Sequence, residues 1–74
     1  MEEIRRIYLK MGDRVVHLRY PHWGTGMVVE EQNSTVLGGN SFVKIVFRDG
    51  RVRVFDNNFA HAWCCYYAGI RRCP

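Results

Sequence analysis

Phe42-Val43-Lys44-Ile45-Val46-Phe47-Arg48-Asp49-Gly50-Arg51-Val52-Arg53-Val54-Phe55 is the stretch that decides the fold. Its first six residues are β-branched or aromatic apart from Lys44, which suits a pleated, half-buried surface. Asp49-Gly50 is a strong hairpin signal, because a tight turn needs backbone angles that glycine adopts freely. Beyond it, Val52 and Val54 alternate with Arg51, Arg53 and Phe55, the two-residue period of a strand.

Outward from this hairpin the same grammar repeats. Residues 27–32 read as a strand, separated from the hairpin by a polar loop over 33–41 with a Gly38-Gly39-Asn40 turn. Asn33-Ser34-Thr35 matches a glycosylation acceptor and is read as part of that loop. Gly12-Asp13 is a turn signal, and residues 14–20 form a further strand. Val16, Leu18 and Tyr20 fall on one of its faces, with Val15, His17 and Arg19 on the other. Pro21 ends it, and His22-Trp23-Gly24-Thr25-Gly26 makes a tight connection. Short strands at short spacing predict an all-β barrel or sandwich instead of a parallel α/β sheet.

The two ends are less regular. Ile4, Ile7 and Tyr8 have helical spacing, so residues 1–11 form an N-terminal extension with a possible helical turn. Near the C-terminus, Phe59, Ala62, Trp63, Tyr66, Tyr67 and Ile70 make a helical stripe, with Asn57 or Asn58 as cap and Arg71-Arg72 at the negative end of the dipole. Cys64-Cys65-Tyr66-Tyr67 has strand propensity instead. A helix or helical turn packing its aromatic face on the open end of the barrel is expected, with a final strand as the alternative.

Seventy-four residues provide one domain with a small core, and enclosing a substrate would leave little of it. The net charge of +4 comes from eleven Lys and Arg against seven Asp and Glu, and nine of the eleven are arginines. Arginine's planar fork pairs with phosphate or carboxylate and stacks on rings, which favours acidic partners. Met1-Glu2-Glu3 does not open a signal peptide, and the apolar stretch 59–70 is broken by His61 and too short for a bilayer. Three cysteines leave one unpaired. A cytoplasmic protein without membrane contact is therefore expected.

Gly12-Asp13-Arg14-Val15 followed by Pro21-His22-Trp23-Gly24-Thr25-Gly26-Met27-Val28 resembles the opening of the Tudor-like domain at the carboxy end of UvrD/PcrA-type DNA helicases. Val43-Lys44-Ile45-Val46-Phe47, Asp49-Gly50 and Phe59-Ala60 continue the family's order, so the resemblance covers residues 12–62. It implies a five-stranded SH3/Tudor-like barrel that recruits partners; residues 63–74 depart from it as an aromatic extension past the family's end, expected to pack on the barrel. In the helicases the module is linked to RNA polymerase and to excision-repair proteins, and CarD-type polymerase-interaction domains have a related small-barrel appearance. The chain departs from the pattern in two extra residues between Val15 and Pro21, in Tyr20 where the family has His, and in having no helicase motor.

Trp23, flanked by His22, Tyr20 and Arg19, is a candidate anchor, since aromatics and arginines dominate interface energetics. Arg48, Arg51 and Arg53 cluster at the hairpin, and the last two share a strand face from which they can straddle phosphates or meet an acidic patch. Tyr20, Trp23, Phe47 and Phe55 also resemble the aromatic cages with which some Tudor domains hold methylated side chains, although core packing explains Phe47 and Phe55 more simply. His61, Cys64, Cys65 and Cys73 lack the spacing of a zinc knuckle, and the cysteines read as small buried hydrophobes, with Cys73 exposed. No motif orients a nucleophile with a base, and Gly24-Thr25-Gly26 is not a phosphate loop. The expectation is a non-catalytic module without cofactor or metal, docking on a protein such as RNA polymerase or a repair factor. Direct nucleic-acid binding through arginines and exposed aromatics is the alternative, and a subunit adding its sheet edge to a larger assembly is a third reading.

Overall fold

In the computed structural model, which describes residues 7–34 and 39–73, the hairpin at Asp49-Gly50 joins β3 (Ser41–Phe47) to β4 (Val52–Asp56). Gly50 has φ +86° and donates its N–H to the Phe47 carbonyl at 2.9 Å, a conformation that a Cβ would strain. β2 (Gly26–Asn33) pairs antiparallel with β3, and β1 (Arg14–His17) pairs antiparallel with the start of β2. A register shift between Val28 and Glu30 interrupts the β2–β3 ladder. Such an irregularity bends a strand, which lets one long β2 serve both parts of a curled sheet.

The chain closes with α1 (Cys65–Ala68) and β5 (Ile70–Arg72), which returns beside β1. The order β4-β3-β2-β1-β5 makes an all-β, five-stranded, SH3-like half-barrel with one short helix near the C-terminus. Val15, Val28, Val43, Ile45, Phe47 and Ile70 from the strands fill its interior, joined by Leu9, Cys64 and Cys65. Gly26 is required here: a Cβ would lie 2.7 Å from Ile45 Cγ2 and 2.8 Å from Phe47 Cδ2.

Asn57 ties the amino end to this core. Its fully buried amide accepts the Leu9 N–H at 2.8 Å and donates to the Leu9 carbonyl at 2.9 Å, so a side chain stands in for a strand partner. Ile7 bridges Asn58 and no helix occupies residues 7–11, which corrects that part of the expected helical turn. Ile4 lies outside the described residues, as does Gly38 of the expected loop turn.

Two further expectations change. β1 ends at His17: Leu18 still donates its N–H to the Gly69 carbonyl in register with β5 at 2.8 Å, but Tyr20 turns back to donate to the His17 carbonyl at 3.2 Å, ahead of Pro21. Val15 and His17 face the core, and Leu18 and Tyr20 are exposed. The expected short helical segment near the C-terminus is present as α1, but it covers only Cys65–Ala68 of the stripe over 57–72, and β5 follows it. Asp56 Oδ1 accepts the Asn58 N–H and Asn58 Oδ1 accepts the Ala60 N–H, folding 56–60 into side-chain-closed turns that compete with helix formation. Gly69, at φ +120°, then ends α1 after one turn. Trp63 and Tyr67 consequently point outward, and residues 70–72, expected to pack on the barrel, supply its fifth strand.

Candidate functional site

The connection between β1 and β2 begins with a 3-10 turn at Pro21–Trp23, and Asp49 donates its N–H to the Trp23 carbonyl at 3.3 Å. This hydrogen bond holds the turn against the β3–β4 hairpin, so two of the sequence-predicted groups meet. The Arg53 guanidinium lies 3.6 Å from the Trp23 ring centroid, and the Tyr20 ring stacks on Trp23 at 4.6 Å with planes 14° apart. Groups at these distances would collide on one face, so Trp23 is sandwiched between them. Asp49 grips the same guanidinium with both oxygens, at 2.9 and 3.3 Å. The Arg53 hydrogen bonds, followed by the N–H of Arg51, hold the Asp49 carboxyl below its usual range.

His17 lies beneath this sandwich, edge-on to Trp23 at 4.9 Å and tilted against Tyr20 at 4.8 Å. Its Nδ1 accepts the Arg19 N–H at 3.2 Å, which places the proton of the neutral ring on Nε2. Burial, and then the charges of Arg19 and Arg53, lower its pKa from the usual 6.5.

The remaining predicted site residues are dispersed. Arg19, His22, Arg48 and Arg51 are exposed; none forms an ion pair among the described residues, although the Arg51 charge acts on nearby Asp49. Of the expected Arg51–Arg53 pair, Arg53 is held by Asp49 and Trp23, and Arg51 is exposed. Phe47 is core and Phe55 half-buried, and the cation position over Trp23 is filled by the chain's own Arg53.

A second surface has no counterpart among the sequence-predicted sites. The strand registers align Arg14, Met27, Val46 and Val52 in one row across the outside of the sheet, with Glu30, Lys44 and Val54 in the next. Met27, Val52 and Val54 are 40, 52 and 60% exposed, which makes this an apolar face, crossed by one Lys44–Glu30 ion pair at 3.1 Å. β4 ends the sheet, with no strand beyond it among the described residues. The hydrogen bonds from Phe47 to Arg51 and from Asn57 to Ser41 set the alternation of the ladder, which turns the N–H and C=O of Val52 and Val54 toward that open edge. Alternating valine signals a strand but not which face is covered, so the sequence held no clear sign of this surface.

Asp56, buried, meets His61 Nδ1 at 2.8 Å, and His61 stacks on the exposed Trp63. Cys64 and Cys65 lie at 0 and 1% exposure, and burial raises both thiol pKa values, that of Cys65 strongly, so neither presents a thiolate. Cys73 is half-buried, less open than expected. Among the described residues no group of three or more His, Cys, Asp or Glu is placed to hold a metal ion, and no helix is long and apolar enough to cross a membrane. No protein-family model, curated protein or solved structure matches this chain.

Proposed function

We propose that this chain is a non-catalytic docking module for a protein partner in transcription or DNA repair, with RNA polymerase first among the candidates. One observation carries the reading: the exposed apolar residues Met27, Val52 and Val54 share the outer face, and Val52 and Val54 sit on β4, whose far edge is open among the described residues. Exposed valines beside unpaired backbone donors and acceptors are what an incoming polypeptide needs, and a phosphate backbone needs neither. The ordered motifs over residues 12–62, on an SH3-like strand order, support kinship with the helicase Tudor-like module, and that kinship supplies the choice of partner. Two buried free thiols suit a reducing cytoplasm.

Nucleic-acid binding is favoured by a different observation, the exposed arginines Arg14, Arg19, Arg48 and Arg51, none in an ion pair among the described residues. The two readings separate by NMR titration of the isotope-labelled chain, with purified bacterial RNA polymerase and with short DNA, at low and high salt. Protein docking predicts broadening of Val52, Val54 and Met27 by polymerase that persists at high salt. Shifts confined to the arginines, produced by DNA and lost with salt, would replace it with the nucleic-acid reading, because phosphate contacts release counterions.

A further inference from the structure

The outer face carries a more specific feature at the end of its first row. A groove of about 350 Å³ is lined by Arg14, Thr25, Met27, Val46 and Arg48. The registers explain its composition. Arg14 lies opposite Met27, and Met27 opposite Val46, so an apolar floor is flanked by a guanidinium on the β1 side. Arg48 is two residues beyond Val46 and therefore on the same face, and its N–H bonds the Thr25 carbonyl at 3.0 Å. Its stem is seated against Gly24, where an added Cβ would come within 2.9 Å of Arg48 Cβ. The two glycines of this turn thus have separate tasks, Gly24 admitting Arg48 and Gly26 admitting Phe47. Arg14 and Arg48 have no acidic partner among the described residues, and together with the Thr25 hydroxyl they leave three donor groups around a methyl-lined floor.

We infer that this groove receives a glutamate side chain from an extended segment of the partner, its methylenes on Met27 and Val46 and its carboxylate between Arg14 and Arg48. The inference rests on the docking reading and deepens it. Charge complementarity selects the occupant: two unpaired guanidiniums call for an anion, and the apolar floor calls for a stem that a bare phosphate lacks. The row also fixes the segment's length. Four strands at ~4.8 Å spacing place Val52 about 14 Å from Arg14, which an extended chain covers in about four residues. The partner segment therefore has an apolar residue over Val52 and Val54 and a glutamate about four positions away.

The probes are two capped pentapeptides, Ile-Ser-Val-Ser-Glu and its Gln twin, titrated into the isotope-labelled chain. The Glu peptide should shift Arg14, Thr25, Met27, Val46 and Arg48 and bind at least about threefold more tightly than the twin, a modest factor for an exposed charge contact. Arg14→Gln/Arg48→Gln should erase that difference while leaving the spectrum folded. Equal binding of the two peptides, or no shift at these residues, overturns the inference, as does inorganic phosphate shifting them more strongly than the Glu peptide. Val52→Asp/Val54→Asp separates the two claims. If polymerase broadening is lost in that variant but unchanged in Arg14→Gln/Arg48→Gln, the docking face stands and the glutamate groove falls.

Discussion

The Trp23 cluster and the outer face of β2–β4 invert what their residue types promise. Trp23, Tyr20, His17 and Arg53 are the residues one would choose for a binding hot spot, yet they satisfy one another: a ring on one side, a guanidinium on the other, and Asp49 closing the charge. Val52, Val54 and Met27 are the residues one would assign to a core, yet they are exposed. The contrast teaches that residue type alone does not show which groups are free: the expected anchors hold one another, and the expected core valines lie exposed. An arginine held by a carboxylate and an indole must be released before it can bind anything, and a bare valine beside an open strand edge need not be.

That contrast can be broken by measurement. Trp23→Ala should lose about 3 kcal/mol of unfolding free energy in urea titration, because a large ring is removed from a packed cluster; a loss near zero would return Trp23 to the role of a free anchor. Arg53→Ala forfeits a cation–π contact of about 1 kcal/mol, and Arg51→Ala, removing the same charge from an exposed site, should leave the urea midpoint unchanged. Equal midpoints for the two variants would dissolve the sandwich. His17 sharpens the same point through pH. Its folded pKa lies below the unfolded 6.5, so the unfolded chain binds more protons as pH falls. The stability from its neutral form is complete above 6.5 and is lost as pH drops through the folded value. His17→Gln should flatten the decline of the urea midpoint below that pH. Val52→Ser and Val54→Ser, at the other extreme, should change stability by less than about 0.5 kcal/mol.

Much of the barrel was legible because turn chemistry and alternation are local. Asp49-Gly50 named its hairpin, and the strands on either side lie within a residue or two of where the alternation placed them. The C-terminal stretch misled because its helical spacing was real but short-ranged signals overrode it: Asp56 and Asn58 closed turns on their own backbone, and Gly69 stopped the helix. The gathering of Trp23 with Arg53 was only half legible. Both residues were singled out, but their contact depends on the hydrogen bond between Asp49 and Trp23 across the barrel, and no local pattern encodes it. The outer face escaped because an isolated strand has two equivalent sides, and burial is settled by strands elsewhere in the chain.

The Tyr8 hydroxyl donates to the Ile70 carbonyl at 2.9 Å, sixty-two residues away, just where β5 joins β1. During synthesis β1 therefore waits, with one ladder unmade, until Ile70–Arg72 has left the ribosome. Local hairpins can form early, but the final closure is non-local and slow. Meanwhile β1 and β4 both offer unpaired edges, and the interval before residue 70 emerges is the time when a nascent chain is most exposed to wrong strand partners.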